Sequence, residues 1–204
     1  RHPKMRAMVV APKRVTEAQS GAVVVAHAFC FIDGALALWW VCGDNTEALF
    51  LGGVGWGRKA PSRVFNWHPL LQIVAFICLT QGILAYRTWP FFKQINKLIH
   101  FFWQSAAVVC ICIALKAVWR YTNLKHTTNL YSLHSWIGVA VVTLLFAQYV
   151  LAFLVFMYPT LTAKNRKFFL PLHISLGLGV YLSFTMNCIV GLVNKTTSQY
   201  CGYN

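Results

Sequence analysis

The sequence predicts an all-α, polytopic transmembrane helical bundle, and three observations carry that prediction. Fifty-eight per cent of the residues are hydrophobic and only 11% are charged, far from the roughly quarter-charged mixture of a soluble globule. Five apolar stretches, Ala22–Cys42, Pro69–Tyr86, Ile99–Trp119, Leu133–Tyr158 and Phe168–Val193, each approach the about 20 residues that a helix needs to cross the hydrocarbon of a bilayer. Runs such as Val139–Phe146 are apolar on every side, whereas a barrel strand alternates lipid-facing and lumen-facing residues.

The first stretch follows a basic segment, Arg1 to Arg14, and has no small-residue cleavage site after it. It therefore reads as a retained span and not as a secretory signal. A Gly-rich loop, Gly43–Asn66, leads to the second stretch, which His68 opens and Arg87 ends. Lys93 and Lys97 precede the third, His100 opens it, His134 lies at the start of the fourth, and His173 lies just inside the fifth. With no internal repeat and no interdomain linker visible, residues 1–204 read as a single membrane domain.

Eighteen basic residues against four acidic ones give a net charge of +14. In so apolar a chain this excess suits anionic lipid or small anionic substrates better than a nucleic-acid groove, so no nucleic-acid partner is expected. Most of the seven cysteines (Cys30, Cys78, Cys110, Cys112 and Cys188 among them) lie inside apolar runs and read as small buried hydrophobes. Of the Lys and Arg residues, eleven fall on the side of the N-terminus and seven on the other, which predicts a cytosolic N-terminus. The N-terminal segment (Arg1, Lys4, Arg6, Lys13, Arg14) decides that balance. Asn194-Lys195-Thr196 is then a glycosylation sequon on the outer side, too close to the membrane to be a good acceptor.

A histidine in a membrane span is costly and is by default a functional candidate. Because neighbouring spans run in opposite directions, His68 and His134 fall near the outer face, and His100 and His173 near the cytosolic face. A pair of neutral imidazoles between apolar walls is what bis-histidine haem ligation needs. Gly138, Gly177, Gly179, Ser105 and Ala106 supply small neighbours on the ligand helices. Two histidines without a nearby Cys, Asp or Glu are too few for a closed zinc site. Spans two to five contain no acid, which weakens a proton pump or cation transporter. The rival readings are interfacial histidines that only cap helices, a histidine-bearing metal transporter, and a membrane subunit with no redox centre.

The chain resembles the cytochrome b561 family of ascorbate-dependent transmembrane oxidoreductases and ferric reductases. The resemblance rests on Phe65-Asn66-Trp67-His68-Pro69, on Tyr86-Arg87, and on Lys93 and Lys97 ahead of Ile99-His100. It continues through Asn129-Leu130-Tyr131-Ser132-Leu133-His134-Ser135-Trp136-Ile137-Gly138 and Phe169-Leu170-Pro171-Leu172-His173. It implies a four-helix core holding two b haems, one between His68 and His134 on the outer side and one between His100 and His173 on the cytosolic side. Electrons would then pass from cytosolic ascorbate to monodehydroascorbate or a ferric chelate on the far side. Members usually have six spans and five are visible in this sequence, so the resemblance implies either that the sequence is a fragment or that a peripheral helix is missing. A multi-pass protein of an endomembrane (vesicle, lysosome or vacuole) or of the plasma membrane is expected, and a homodimer is compatible with it.

Ascorbate is an anion at neutral pH and calls for cationic donors. Lys93 and Lys97, four apart, share a helix face, and the resemblance adds Arg87 and Arg166 to the cytosolic ascorbate site. The rival reading is that these cations anchor loops to lipid headgroups. On the outer side Tyr131, one turn before His134, is the best candidate, with Asn129 just ahead of it and Asn66 just ahead of His68 offering neutral hydrogen-bonding groups above the outer haem that the resemblance implies; the aromatic belt formed with Trp67, Trp119 and Trp136 is its rival. His126 reads as a solvated loop residue, with help in holding a ferric chelate as the rival reading. His27 and Asp33 share span one but not a face, and a mid-span Asp costs roughly 2.5–3.5 kcal/mol unless it finds a partner.

Overall fold

The computed structural model describes residues 17–43, 50–88, 92–158 and 161–201. The N-terminal cations that set the expected orientation lie outside the described residues. The chain is an all-α polytopic bundle: α1 (Glu17–Cys42), α2 (Pro61–Phe65), α3 (Trp67–Thr88), α4 (Lys93–Lys125), α5 (Leu133–Ala152) and α6 (Ala163–Cys201). A π-helical turn, Phe153–Met157, continues α5. Five segments are long and apolar enough to cross a membrane, with α2 and α3 together making the second.

Several helices overrun the apolar stretches that announced them. The third span is 33 residues long and the last helix 39, because the polar residues flanking each apolar run, Lys93 to Leu98 and Asn194 to Ser198 among them, keep helical backbone. The sequon Asn194-Lys195-Thr196 thus lies within α6, where the Thr196 hydroxyl donates back to the Leu192 carbonyl at 3.1 Å.

The α3–α4 hairpin is the tightest pairing, and its contact surface is built from small residues. Ala75, Cys78, Gly82 and Ala85 line α3 at helical spacing, against Ala107, Ile111, Ala114 and Ala117 of α4. Small side chains let backbones approach closely where lipid removes the usual hydrophobic advantage of association. The central cluster adds Val141 and Leu145 from α5 and Phe184 from α6. Two hydrogen-bonded tyrosines stitch the hairpins together. The Thr80 hydroxyl donates to the Phe76 carbonyl, so Tyr181 donates to Thr80 Oγ1 at 2.9 Å while its ring stacks on Phe76. Ser105 likewise donates to the Phe101 carbonyl and receives the Tyr149 hydroxyl at 2.8 Å, with Tyr149 stacked on Phe101.

Helix α1 packs on α3 through Cys30, Gly34, Ala37 and Val41, spaced four, three and four apart, with Gly34 against Ile77. Asp33, one turn along α1 from Cys30, lies within electrostatic reach of Tyr181 on α6. Residues 50–57 fold back over the first-loop end of the bundle. Asn66, 2% exposed, donates both amide hydrogens, to the Leu51 carbonyl at 2.8 Å and the Gly53 carbonyl at 2.6 Å. Trp56 stacks on Trp67, and the Arg120 guanidinium donates to the Trp56 carbonyl at 2.8 Å. The glycines here are required by backbone shape: Gly52 and Gly53 have φ of 73° and 86°, a region costly for other residues.

Asn66 is therefore a buried pin and not an open hydrogen-bonding group. Asn66→Ala leaves the buried Leu51 carbonyl and the part-buried Gly53 carbonyl short of a donor and is expected to cost about 2–4 kcal/mol. Hydrogen exchange should show faster amide exchange in residues 50–57, with α5 and α6 unchanged; uniform loss of protection across the bundle would contradict so local a role.

Candidate functional site

Four histidines converge as two pairs. His68 and His134 have ring centroids 6.2 Å apart with planes at 83°, and His100 and His173 are also 6.2 Å apart, at 79°. The first pair joins α3 to α5, and the second joins α4 to α6. Each α-hairpin, α3–α4 and α5–α6, thus contributes one ring to each pair.

Local sequence explains how each ring is set. Ser132 caps α5: its hydroxyl accepts from the Ser135 N–H at 3.2 Å, and its own N–H donates to Ser135 Oγ at 3.2 Å. This reciprocal box fixes the helix entry one residue before Leu133 and puts His134 in the first turn. The preceding loop is held by Thr122, which donates to Asn129 Oδ1 at 2.5 Å, and by His126, which ends α4 in the left-handed region at φ 54°. His126 is exposed, in keeping with a loop residue.

Three of the imidazoles donate Nδ1–H to a main-chain carbonyl of the neighbouring antiparallel helix. His68 meets Ala114 at 3.2 Å, His100 meets Gly82 at 2.7 Å, and His134 meets Asn187 at 3.1 Å. A carbonyl only accepts, so each bond places the proton on Nδ1 and leaves the Nε2 lone pair available. At His173 the main chain is tied instead: Gln148 Nε2 donates to its carbonyl at 3.3 Å.

These contacts expose a regular spacing. On α3 the residues at the two levels, His68 and Gly82, are fourteen apart, as are His100 and Ala114 on α4. The same interval separates His134 from Gln148 and His173 from Asn187. The two hairpins repeat one register, a symmetry absent from the residue pattern. Fourteen residues at about 1.5 Å each put the two pairs about 21 Å apart along the bundle, less than the full span because the histidines sit inside the helix ends.

The separation within each pair fits a metal held between two imidazoles. Two bonds of about 2.0–2.1 Å, with each nitrogen about 1.1 Å from its ring centre, require about 6.2–6.4 Å between centroids. Among the described residues no three His, Cys, Asp or Glu side chains gather to complete a closed zinc shell. The walls are aromatic and apolar: Phe65 lies 6.0 Å from His68, Tyr86 5.6 Å from His100, and Phe156 5.5 Å from His173. The donor set, its spacing and its walls fit a planar macrocycle with an iron at the centre.

The expected substrate residues are distributed as follows. Arg87 and Lys93 are exposed at the His100 end, and Arg166 is half-buried in the first turn of α6. Lys97 is half-buried, and its Nζ donates to the Phe156 carbonyl at 3.0 Å, tying the start of α4 to the π-helical turn. Tyr131, at the other end, is 81% exposed. Gly138 lies against the Asn187 side chain and Gly177 against Gln148, whereas Gly179 has open space beside it. Sequence reading missed Phe65, Phe156 and Lys195. Lys195 stands 5.2 Å over the Phe65 ring, and no local pattern could announce it, since 130 positions separate the two residues.

Residues 67–199 match the family described as eukaryotic cytochrome b561. The chain belongs to that family. Transmembrane ascorbate ferrireductase 1 of Arabidopsis thaliana is 34% identical over 85% of this chain and 70% of its own length. The lysosomal membrane ascorbate-dependent ferrireductase CYB561A3 of Danio rerio is 31% identical over 84% and 69%. The plasma membrane ascorbate-dependent reductase CYBRD1 of Rattus norvegicus is 33% identical over 72% of this chain and 52% of its own. The match to the cytochrome b561 family begins one residue before His68 and takes in all four paired histidines.

Gly191 is the tightest fitting at the His134 ring, because a Cβ there would fall 2.6 Å from Cε1. Gly191→Ala is expected to displace that ring and halve haem uptake when haemin is titrated into protein depleted of cofactor. Full uptake with unchanged visible spectra would show that the ring does not need this approach.

Proposed function

We propose that this cytochrome b561 passes electrons across a bilayer through two b haems, from cytosolic ascorbate to monodehydroascorbate or a ferric chelate on the other side. The observation that carries the reading is the pair of histidine sites, each 6.2 Å between rings, at two levels of one bundle. Membership of the family, and relatives named as ascorbate-dependent reductases, support ascorbate as donor. In this reading His68 and His134 hold the outer haem, His100 and His173 hold the cytosolic one, and residues 1–204 act as one domain.

A bound haem supplies a one-electron couple at iron. The chain's own residues do the rest. The Nδ1–H bonds to Ala114, Gly82 and Asn187 fix three rings in the tautomer that presents Nε2. Phe65, Tyr86 and Phe156 keep water from the rings. At the cytosolic end Arg87, Lys93, Lys97 and Arg166 attract the ascorbate monoanion, which gives up one electron and one proton and leaves as the monodehydroascorbate radical anion. On the far side the electron either reduces monodehydroascorbate, which takes up one proton, or converts ferric to ferrous iron. Tyr131 offers a neutral hydrogen-bonding group there. The excess of Lys and Arg on the N-terminal side supports this orientation.

Replacing His68 or His134 by Ala should remove the same spectral component, and replacing both should cost little more than replacing one, since losses within a pair are not additive. His100 and His173 should behave likewise for the other component. Pyridine haemochrome assays and redox spectra of the folded variants decide this; loss of the cytosolic component on replacing His68 would overturn the pairing.

For the donor site, Lys93→Gln with Lys97→Gln should slow reduction by subsaturating ascorbate at low salt by about three- to tenfold, with haem content unchanged. Unaltered rates would make both lysines structural, in keeping with the bond from Lys97 to Phe156.

A further inference from the structure

We infer that Lys195 and the aromatic shelf Phe65–Tyr121 form the anion-binding mouth for the outer electron acceptor. This rests on the proposed transfer through the His68–His134 site and adds the groups that select its acceptor. Lys195 Nζ stands 5.2 Å over the Phe65 ring. Phe65 packs 5.0 Å from Tyr121 on one side and 6.0 Å from the His68 ring on the other. Tyr131 lies within electrostatic reach of Tyr121, so the exposed tyrosine borders the same mouth.

A lysine that only anchors a helix end turns its ammonium outward to headgroups and water. Lys195 is half-buried and aimed inward, over a ring that touches His68. Asp33, on the first span, is the sole acid among the described side chains, so no described carboxylate neutralises this ammonium. The ring face offsets part of its desolvation, and the remainder is relieved when an anion binds. Arg58, Lys59 and Arg63 are exposed at the same end, and Arg120 is engaged with the Trp56 carbonyl. The field at the mouth therefore draws in negative charge. The chemistry that fits is a small oxyanion, carboxylate or enediolate, with an oxygen on Lys195 and its body against the tilted Phe65 and Tyr121 rings. A ferric polycarboxylate and monodehydroascorbate share it.

The test uses full-length haem-loaded protein, reduced beforehand with ascorbate and mixed rapidly with ferric citrate, with monodehydroascorbate generated in place, or with the cation hexaammineruthenium(III). Lys195→Gln should slow reoxidation by ferric citrate at low salt by about tenfold, leave hexaammineruthenium(III) as fast or faster, and remove most of the salt dependence seen in the parent. Lys195→Arg should restore at least half of the parent rate. Slowing with both anions assigns the mouth to oxyanions generally, and slowing with ferric citrate alone assigns it to the chelate. Equal rates for parent and Lys195→Gln with both anions, or equal slowing with the cation, would overturn the inference, as would a parent rate with ferric citrate indifferent to salt. Haem content and reduction by ascorbate, measured on the same samples, report separately on the underlying reading: both intact alongside an overturned mouth would leave transmembrane transfer standing.

Discussion

An imidazole held in hydrocarbon must place its N–H on an acceptor, and a main-chain carbonyl in a helix interior already accepts one bond. The second lone pair of a neighbouring helix's carbonyl is what His68, His100 and His134 use. Reaching it demands close backbones, and two of the three accepting residues are the smallest available, Ala114 and Gly82. The small-residue seam of α3 against α4 therefore does more than pack the hairpin. It fixes the tautomer of two rings and with it the nitrogen they present.

That constraint propagates into the symmetry of the bundle. Once the register of α3 on α4 sets His68 beside Ala114, the same register sets His100 beside Gly82, because both helices carry a fourteen-residue interval. The α5–α6 hairpin repeats the interval with different partners, Asn187 and Gln148. Two hairpins of one register, facing each other, bring a ring from each to both levels. The tyrosine bonds from Tyr181 to Thr80 and from Tyr149 to Ser105 hold the hairpins in that relation.

The two ends differ in how they carry positive charge. At the His100 end Lys97 is partly consumed by the Phe156 carbonyl, while Arg87 and Lys93 stand exposed. At the His68 end the loop over residues 50–57 and the Asn66 pin close part of the surface, and Lys195 is held inward over an aromatic ring. Cations thus stand at both ends of the bundle, and the sequence's net charge of +14 supplies them.

Much of this was legible in the chain itself. Apolar length and the absence of alternation dictate membrane helices, since a bilayer accepts few other forms, and the depth of each histidine follows from counting residues along antiparallel spans. Ser132 and Ser135 stand in the motif around His134, and the structure adds that they cap α5 reciprocally. Other features had no local signal. Asn66 looked like an open polar group and is buried under a loop fifteen residues earlier in the chain. Asp33 had no nameable neighbour outside its own helix until the fold brought Tyr181 of α6 within its electrostatic reach. Lys195 looked like one cation among seven. Sequence by itself determined which segments span and how deep the polar residues lie, because hydrophobic length and helical rise are properties of a single helix. Only the tertiary structure decided which carbonyl each ring bonds, which glycine admits it and which cation turns inward, because those depend on the register between helices, and register is a relation that neither partner's sequence states alone.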